Sequence, residues 1–442
     1  MPRNNRNRDR NMNLPAPSAP LTPSVPPTTP VPISDAFDLP SLENLGLNDD
    51  NKKMSEAVQH SIVHYMSTSD RLHAASALPG TFGELDRVVP HRIKLLKFEP
   101  NAITVNSQRV YLVHQFVYLQ RRLVLCCTRD LDEQGQPLNI RLPANQKLKE
   151  GDIVIVRRED DPYKEDLAEP NGIQERPSLV VLRKIMQVVN VTPIRELPVP
   201  LPDGIKFPDA MRNLSNQILG GDRVHVVDSL IIGFREGIIR LPVGVQLKVR
   251  KLLLNYNALE AMKATRPIIH SSSWPLEDVT LSVDDPRDPI IRELPDARHI
   301  TVCLTHCIGR SDWRIFAFVR RPHIHLAEAE INVQDWCWIA QSWKSNPPPI
   351  GQKFSMNSKD NASDYIDGVK ILGGVIKMLP SRSCVKFPYC STIKLNEQSE
   401  LNFYGAKAPF YELEMKRTSG DRILWMAVME VMSVGSAEDA VD

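Results

Sequence analysis

The sequence of 442 residues has no long apolar segment. No window approaches the roughly 18 to 20 apolar residues needed to span a bilayer. No apolar core follows the arginines near the amino terminus, as it would in a secretory signal peptide. We therefore expect a soluble, cytoplasmic protein that does not bind membranes.

The chain also lacks an excess of charge of either sign. It has 54 lysines and arginines against 53 aspartates and glutamates, a net charge of +1. No overall field therefore steers it to nucleic acid or a membrane surface, and any basic site must be local. The seven cysteines are odd in number and scattered, which favours free thiols in a reducing compartment over a disulfide framework.

Catalytic signatures are absent as well. The sequence contains no Gly-x-Ser-x-Gly elbow, no phosphate-binding Gly-Lys-Ser/Thr loop, no glycine-rich dinucleotide loop and no His-Glu-x-x-His helix. We therefore predict that the protein is not an enzyme and needs no cofactor.

One group of side chains has metal-ligand chemistry: Cys303, His306, Cys307, His323 and His325. Zinc sites usually combine two close cysteines with two close histidines. The spacing here does not match that frame, so we expect buried or edge-strand side chains and no bound metal.

What the sequence does contain is a proline-punctuated motif that returns. Pro-Ile-Arg-Glu-Leu-Pro at 193–198 is followed by Ile-Ile-Arg-Glu-Leu-Pro at 290–295 and, more loosely, by Ile-Lys-Met-Leu-Pro at 376–380. Lys-Phe-Pro follows the first and third copies, at 206–208 and 386–388. Two landmarks in the same order predict an internal repeat of β-rich modules, which typically present surfaces to partners.

Composition and periodicity suggest several segments. Residues 1–52 are rich in proline, serine and threonine and are predicted to be disordered. The arginines of this arm could contact RNA phosphates, or the arm could be a solvated tail; they are Arg3, Arg6, Arg8 and Arg10. The remaining boundaries are an amphipathic helix and connector at 53–84, a first module at 85–221, a middle β-rich segment with an acidic linker at 222–296, a second module at 297–434 and a tail at 435–442.

Within these segments the apolar spacing predicts helices over 55–75, 209–219 and 325–343, and a strand over 313–318. Trp336 and Trp343 share one face of the third helix, which is typical of core packing. Trp338 is rotated away from that face, so it is a candidate centre of a partner-binding groove.

The second module, at 297–434, resembles the extended Tudor domain. The residues that carry the resemblance come in order: Thr305-His306, Asp312-Trp313, a helix, Gly351, then Leu-Pro at 379–380 and Phe-Pro at 387–388. The first module resembles a weaker copy, with Gly151-Asp152, a stretch long enough for a barrel, Leu-Pro at 197–198 and Phe-Pro at 207–208. The resemblance implies a β-rich α+β fold with two or three small barrels, each set against a staphylococcal-nuclease-like fold.

By the same resemblance the protein would be a non-enzymatic adaptor or scaffold in a small-RNA silencing or germ-granule complex, located in the cytoplasm including perinuclear granules. Its partners would be proteins such as an RNA-processing enzyme or Argonaute, with RNA reached indirectly or through the arm. The candidates for an aromatic cage would be Tyr365 and Phe354 in the second module and Tyr163 in the first. One or two rings hold a cation weakly, so we do not expect methylarginine as a ligand.

A second interpretation is a viral coat-like structural protein. In such a protein a basic arm gathers RNA and β-rich domains form the shell. Self-assembly separates the two interpretations, because a coat protein forms large particles that contain nucleic acid.

Overall fold

The computed structural model describes residues 56–66, 71, 74, 81–99, 102–106, 108–118, 123–126, 148–156, 177–186, 197–200, 207–220, 223–233, 235–304, 313–327, 331–358, 362–382, 387–407 and 425–439. The predicted segment 1–52 with its arginines, Arg3, Arg6, Arg8 and Arg10, lies outside these residues, as do Tyr163, His306 and Cys307.

The described α-helices are α1 (Glu56–Tyr65), α2 (Thr81–Val88), α3 (Phe207–Leu219), α4 (Ala258–Thr265), α5 (Val333–Ser345) and α6 (Ala362–Gly368). Short 3-10 helices span Arg266–Ile268, Ser271–Ser273, Pro289–Ile291, Trp313–Phe318 and Val369–Leu372. The strands are β1 (Arg92–Glu99), β2 (Ala102–Val105), β3 (Gln108–Tyr118), β4 (Leu123–Cys126), β5 (Asp152–Ile155), β6 (Pro177–Met186), β7 (Leu197–Pro200), β8 (Val224–Ile232), β9 (Gly237–Arg240), β10 (Gln246–Leu254), β11 (Leu276–Val283), β12 (Ala297–Leu304), β13 (His323–Ala327), β14 (Lys353–Ser358), β15 (Val375–Met378), β16 (Tyr389–Lys394), β17 (Ser399–Lys407), β18 (Trp425–Ser433) and β19 (Glu438–Asp439).

The centre of the fold is a parallel sheet in the order β1, β8, β10, β11, β12, β13 and β14. Antiparallel strands extend it at both ends: β2, β3, β6 and β7 beyond β1, and β18, β17, β16 and β15 beyond β14. Among the described residues no pairing joins the two ends, so the sheet is open. The prediction of a β-rich fold is confirmed, whereas the predicted Tudor-like barrels are not.

The parallel strands follow one another in chain order after β8. They begin at residues 224, 246, 276, 297, 323 and 353, so a new strand starts every 21 to 30 residues. Helical segments connect several of them, including α4, the 3-10 helices and α5. Stacked strand-plus-helix units of this length are the architecture of a solenoid, in which each unit contacts mainly its neighbours.

One face of the parallel sheet forms the core. Apolar residues alternate along β8 and β10, and their buried members align across strands, as in Leu230, Leu252 and Val279. These side chains pack in the same cluster as α4, the 3-10 helices and α5. The helical connections therefore cover one face of the sheet and leave the opposite face of β1, β8, β10, β11 and β12 accessible.

The helix predicted over 209–219 is confirmed by α3, and α1 lies within the helix predicted over 55–75. The helix predicted over 325–343 is partly wrong, because residues 325–327 belong to β13 and α5 begins only at Val333. Asn332 fixes that start: its side chain accepts a hydrogen bond from the Asp335 backbone N–H at 2.7 Å. The strand predicted over 313–318 is also wrong, since this segment is a 3-10 helix.

The proline motif does not mark a structural repeat. Its second copy starts within the 3-10 helix Pro289–Ile291, while the third copy runs through β15. Leu197-Pro198 of the first copy opens β7. The unit that does recur is the parallel strand with its connection, and its sequence signature is only the alternation of apolar residues.

Strand pairings also cross the predicted module boundaries. β1 pairs with β8 across the boundary at 221, and β11 pairs with β12 across the boundary at 296. Residues 56–442 group into one compact unit by their contacts. The predicted modules 85–221, 222–296 and 297–434 therefore contribute to a single sheet.

Candidate functional site

The accessible face of the parallel sheet carries rows of polar side chains that run across the strands. We call this the outward face. One row is fixed by strand register: Ser229, Lys251, Asp278, His299, His323 and Lys353 are successive cross-strand neighbours. Because parallel strands keep an even spacing, the row places one side chain about every 4.8 Å.

Alternating charges stabilise these rows. Arg250 donates to the carboxylates of Asp228 and Glu277, which lie on the strands at either side of β10; its Nη1 is 2.6 Å from Glu277 Oε2. Lys251 Nζ lies 2.9 Å from Asp278, and His299 Nδ1 lies 3.2 Å from the same carboxylate. The hydrogen bond from Arg250 lowers the pKa of Asp228, and the two carboxylates raise the pKa of Arg250.

Next to these ion pairs lies a groove of about 590 Å³ that crosses β1, β8, β10, β11 and β12 near their amino ends. We call it the basic groove. Its lining includes five basic side chains and two acidic ones: Arg92, Lys94, Lys248, Arg250 and Arg298, with Asp228 and Glu277. The imbalance makes the groove locally positive, although the whole chain is almost neutral.

Four of the five basic side chains have no acidic partner among the described residues. Arg250 is already bound to both carboxylates of the groove. Arg92, Lys94, Lys248 and Arg298 are all exposed and belong to no ion pair in the part of the chain that is described. These four cations are therefore free to bind negative groups of a partner.

At the β13 and β14 end of the sheet the polar side chains are buried or half-buried instead. Ser355 Oγ lies 3.1 Å from His323 Nε2 and 2.9 Å from His325 Nδ1. Burial, with Lys353 next in importance, lowers the pKa of His323 to about 3, so its ring is neutral. Ser355 has no exposed surface, and a substrate in solution cannot reach its hydroxyl. We therefore interpret this Ser–His contact as structural.

The carboxylate of Glu430 is held in the same region. It accepts a hydrogen bond from the Tyr404 hydroxyl and lies 3.5 Å from Arg382. Lys353 Nζ lies 6.0 Å from the Tyr404 ring centroid. Burial and the neighbouring carboxylate raise the pKa of Tyr404. Glu430 thus has a cation and a hydroxyl as partners within this cluster, whereas most cations of the basic groove have no acidic partner among the described residues.

The residues predicted from sequence lie elsewhere. Trp338 is half-buried on α5, on the helical side of the sheet, where its ring contacts Phe318 at 6.0 Å. Tyr365 on α6 donates its hydroxyl to the Ile331 carbonyl at 2.6 Å and packs against Trp336 at 5.8 Å. The structure does not bring Trp338 or Tyr365 into the basic groove.

Part of the predicted metal-ligand group is described. Cys303 is buried on β12, while His323 and His325 lie on β13. Among the residues that the structure describes, no three His, Cys, Asp or Glu side chains are arranged to hold a metal ion. No helix in the described part of the chain is long and apolar enough to cross a membrane.

Sequence reasoning missed the basic groove. The available signal was an Arg-x-Lys pattern at 92–94 and a Lys-x-Arg pattern at 248–250, which place two cations on one face of a strand. Such a pattern becomes a site only when the strands are neighbours in the sheet. The pairing of β1 with β8 joins strands about 130 residues apart in the chain, and nothing in the local sequence reveals it.

Comparison with known proteins gives one result for this region. Residues 206–360 are similar to the family described as Domain of unknown function (DUF3557). The matched segment begins with α3 and ends with β14, so it contains β8 and the following parallel strands but not β1. No curated protein matches the chain significantly. The chain is thus similar, over less than half its length, to a family whose description names no activity.

Proposed function

We propose that the protein is a non-enzymatic scaffold whose basic groove binds an acidic surface or segment of a protein partner. The observation that carries this proposal is a set of four exposed cations on one side of neighbouring parallel strands, which have no acidic partner in the described part of the chain. An extended row of fixed charges recognises a partner by charge complementarity and speeds encounter more than it adds affinity.

The groove chemistry favours a protein over a nucleic acid. None of the described residues that line the groove is aromatic, whereas proteins that bind single-stranded nucleic acid stack bases on aromatic rings. Asp228 and Glu277 also stand between the cations and would repel a continuous phosphate backbone. A protein surface can place its carboxylates opposite the cations and avoid these two positions.

Solenoid architecture supports binding rather than chemistry. A row of side chains along stacked strands forms an extended surface, which is how such proteins typically contact partners. The setting in small-RNA silencing or germ granules, with an RNA-processing enzyme or Argonaute as partner, remains a prediction from the Tudor resemblance. An acidic segment in one of these partners would connect this predicted setting with the basic groove.

The first experiment measures binding of fluorescent poly-glutamate to the purified protein by anisotropy, at low and at physiological salt. We expect Lys248→Glu and Arg298→Glu each to weaken binding by about tenfold, which corresponds to about 1.4 kcal/mol. Salt should weaken binding to the wild type as well, because exposed charges are screened. Lys394→Glu is the matched control, since it reverses an exposed lysine of β16 that lines neither the groove nor any other cavity discussed below.

Oligo-uridine of the same charge is titrated in parallel. If oligo-uridine binds more tightly than poly-glutamate and the same two variants lose this binding, the groove binds nucleic acid and the protein-partner proposal is wrong. Equal binding of poly-glutamate to the wild type and to both groove variants would also contradict the proposal.

A further inference from the structure

A second surface lies on the helical side of the solenoid, opposite the outward face. Two successive connections, the one between β11 and β12 and the one between β12 and β13, line an open cavity of about 360 Å³. The buried side chains of Ile291 and Leu294 contribute to its lining, as do Ile315, Phe318 and Val319. We call this cavity the anchor pocket.

Phe318 is the unusual residue of the anchor pocket. Its side chain is 66% exposed, while its neighbours in the same 3-10 helix, Phe316 and Ala317, are fully buried. Its ring meets Trp338 edge-on at a centroid distance of 6.0 Å. A large aromatic side chain left in water beside a cavity with apolar side chains in its lining is typical of an interaction site, because covering it removes apolar surface from water.

Arginines surround the apolar floor. Arg292, Arg320 and Arg321 line the anchor pocket, and no acidic side chain is among the described lining residues. Arg320 donates to the Ala317 and Asn346 carbonyls at 2.7 and 3.3 Å, and Arg321 Nη1 lies 3.7 Å from Asp296. Arg292 is exposed and forms no ion pair in the described part of the chain. The rim is therefore positive.

Arg314 extends this chemistry along α5. Its guanidinium carbon lies 5.4 Å from the centroid of the Trp338 ring and its Nε lies 3.6 Å from Asp335. Tryptophan, tyrosine and arginine are the residue types that dominate binding energy at protein interfaces. Phe318, Trp338 and Arg314 thus continue the anchor pocket into a contact surface of the same character.

We infer that the anchor pocket binds an acidic, amphipathic peptide segment of a second partner protein. A bulky apolar side chain of that segment enters between Phe318 and the floor at Ile291 and Leu294. Flanking carboxylates bind Arg292 and the rim. The apolar side chains of the lining favour a bulky apolar anchor, and the arginines, with no carboxylate among the described lining residues, favour negative flanking charge.

This inference does not depend on the basic groove. The two surfaces lie on opposite sides of the sheet and differ in chemistry, since the groove lining has no aromatic side chain and the pocket contains Phe318. A protein with both surfaces can hold two partners at once. This would extend the scaffold role proposed above, but that role does not require it.

The test is selection from a random peptide phage library on the wild-type protein, with counter-selection on Arg292→Glu. We expect enriched peptides to carry one aromatic or leucine residue flanked by aspartate or glutamate. Synthetic enriched peptides should lose about tenfold or more in affinity, measured by anisotropy, in both Phe318→Ala and Arg292→Glu. Phe318 is largely exposed, so its truncation should leave the melting temperature almost unchanged.

Two controls separate the surfaces. Arg298→Glu, in the basic groove, should leave peptide binding intact, and Ile371→Ala removes an apolar side chain that is 87% exposed elsewhere on the molecule. Enriched peptides without acidic residues, or peptides that bind Phe318→Ala as tightly as the wild type, would overturn the inference. Loss in Arg298→Glu alone would assign the peptides to the groove instead.

Discussion

At the scale of single residues, a buried charge cluster connects the helices before the sheet to its first strands. Arg71 Nε donates to Asp86 at 2.6 Å, and Arg223 lies 3.8 Å from the same carboxylate. Arg71 also donates to the Pro90 carbonyl at 3.0 Å. One buried carboxylate thus holds two guanidinium groups, and its removal would leave both of them without a buried counter-ion.

Two histidines complete the cluster. His91 and His225 stack with ring centroids 5.5 Å apart, and neither has exposed surface. Burial, reinforced by the neighbouring arginines, lowers the pKa of His91 to about 2 and that of His225 to about 4. Both rings are therefore neutral in the folded protein at physiological pH.

These shifts predict that acid destabilises the protein. The unfolded chain binds protons at the ordinary histidine pKa of about 6.5, whereas the folded chain does so only at lower pH. The contribution is fully present above pH 6.5 and is lost as pH falls towards the folded values. At pH 5, about 1.5 pH units below the pKa of the unfolded chain, each histidine should lower the free energy of unfolding by about 2 kcal/mol relative to neutral pH.

The measurement is urea denaturation at pH 7.5 and pH 5 for the wild type and His91→Gln. We expect the difference between the two pH values to be about 2 kcal/mol smaller in the variant, because one buried titrating group is gone. An unchanged difference would show that His91 is not the group that resists protonation.

At the scale of elements, α5 shows how one helix serves the core and a surface. Trp336 and Trp343 are buried, and Trp336 contacts the rings of Phe354, Tyr365 and Phe403. Trp338, two residues further along, is only half-buried. The helical periodicity of 3.6 residues per turn accounts for this division.

Truncation should therefore have unequal effects along this helix. Trp336→Ala should lower the unfolding free energy by about 3–5 kcal/mol, because it leaves a cavity in a core of packed rings. Trp338→Ala should cost about 1–2 kcal/mol, because less apolar area leaves the interior. Urea titration of both variants measures this, and similar losses would contradict the assignment of Trp336 to the core.

Periodicity made α3 and the buried face of α5 predictable, and alternation made the β-rich content predictable. Pairing was not predictable. The segment 325–343 has apolar residues at helical spacing. Residues 325–327 nevertheless pair with β12 and form a strand, because backbone pairing outweighs local periodicity. The proline motif does not identify the repeating unit for a related reason. A short apolar segment that ends in proline fits a 3-10 helix and a strand equally well.

At the scale of the whole molecule, antiparallel strands flank the parallel sheet on both sides. β2 pairs beyond β1, and β18 pairs beyond β14. Solenoids need such terminal elements, because an uncovered last unit exposes apolar surface and unpaired backbone groups. The parallel strands described here are therefore protected from edge-to-edge association.

Protection of the parallel edges predicts limited self-association. Light scattering of the purified protein at neutral pH should give the mass of a monomer or small oligomer, independent of added RNA. Large particles that retain RNA after purification would favour the coat-protein interpretation instead. High salt serves as the control, since it dissolves charge-driven aggregates and leaves a packed shell intact.

The stacking of strands in chain order has an evolutionary consequence. Among the described residues, each strand from β10 to β13 pairs with the parallel strand on either side of it in the sheet. Duplication or loss of one strand-plus-connection unit therefore changes the length of the outward face in steps of about 4.8 Å, while the remaining units keep their neighbours. Related proteins can therefore differ in the length of the binding surface while the packing of the remaining units stays the same.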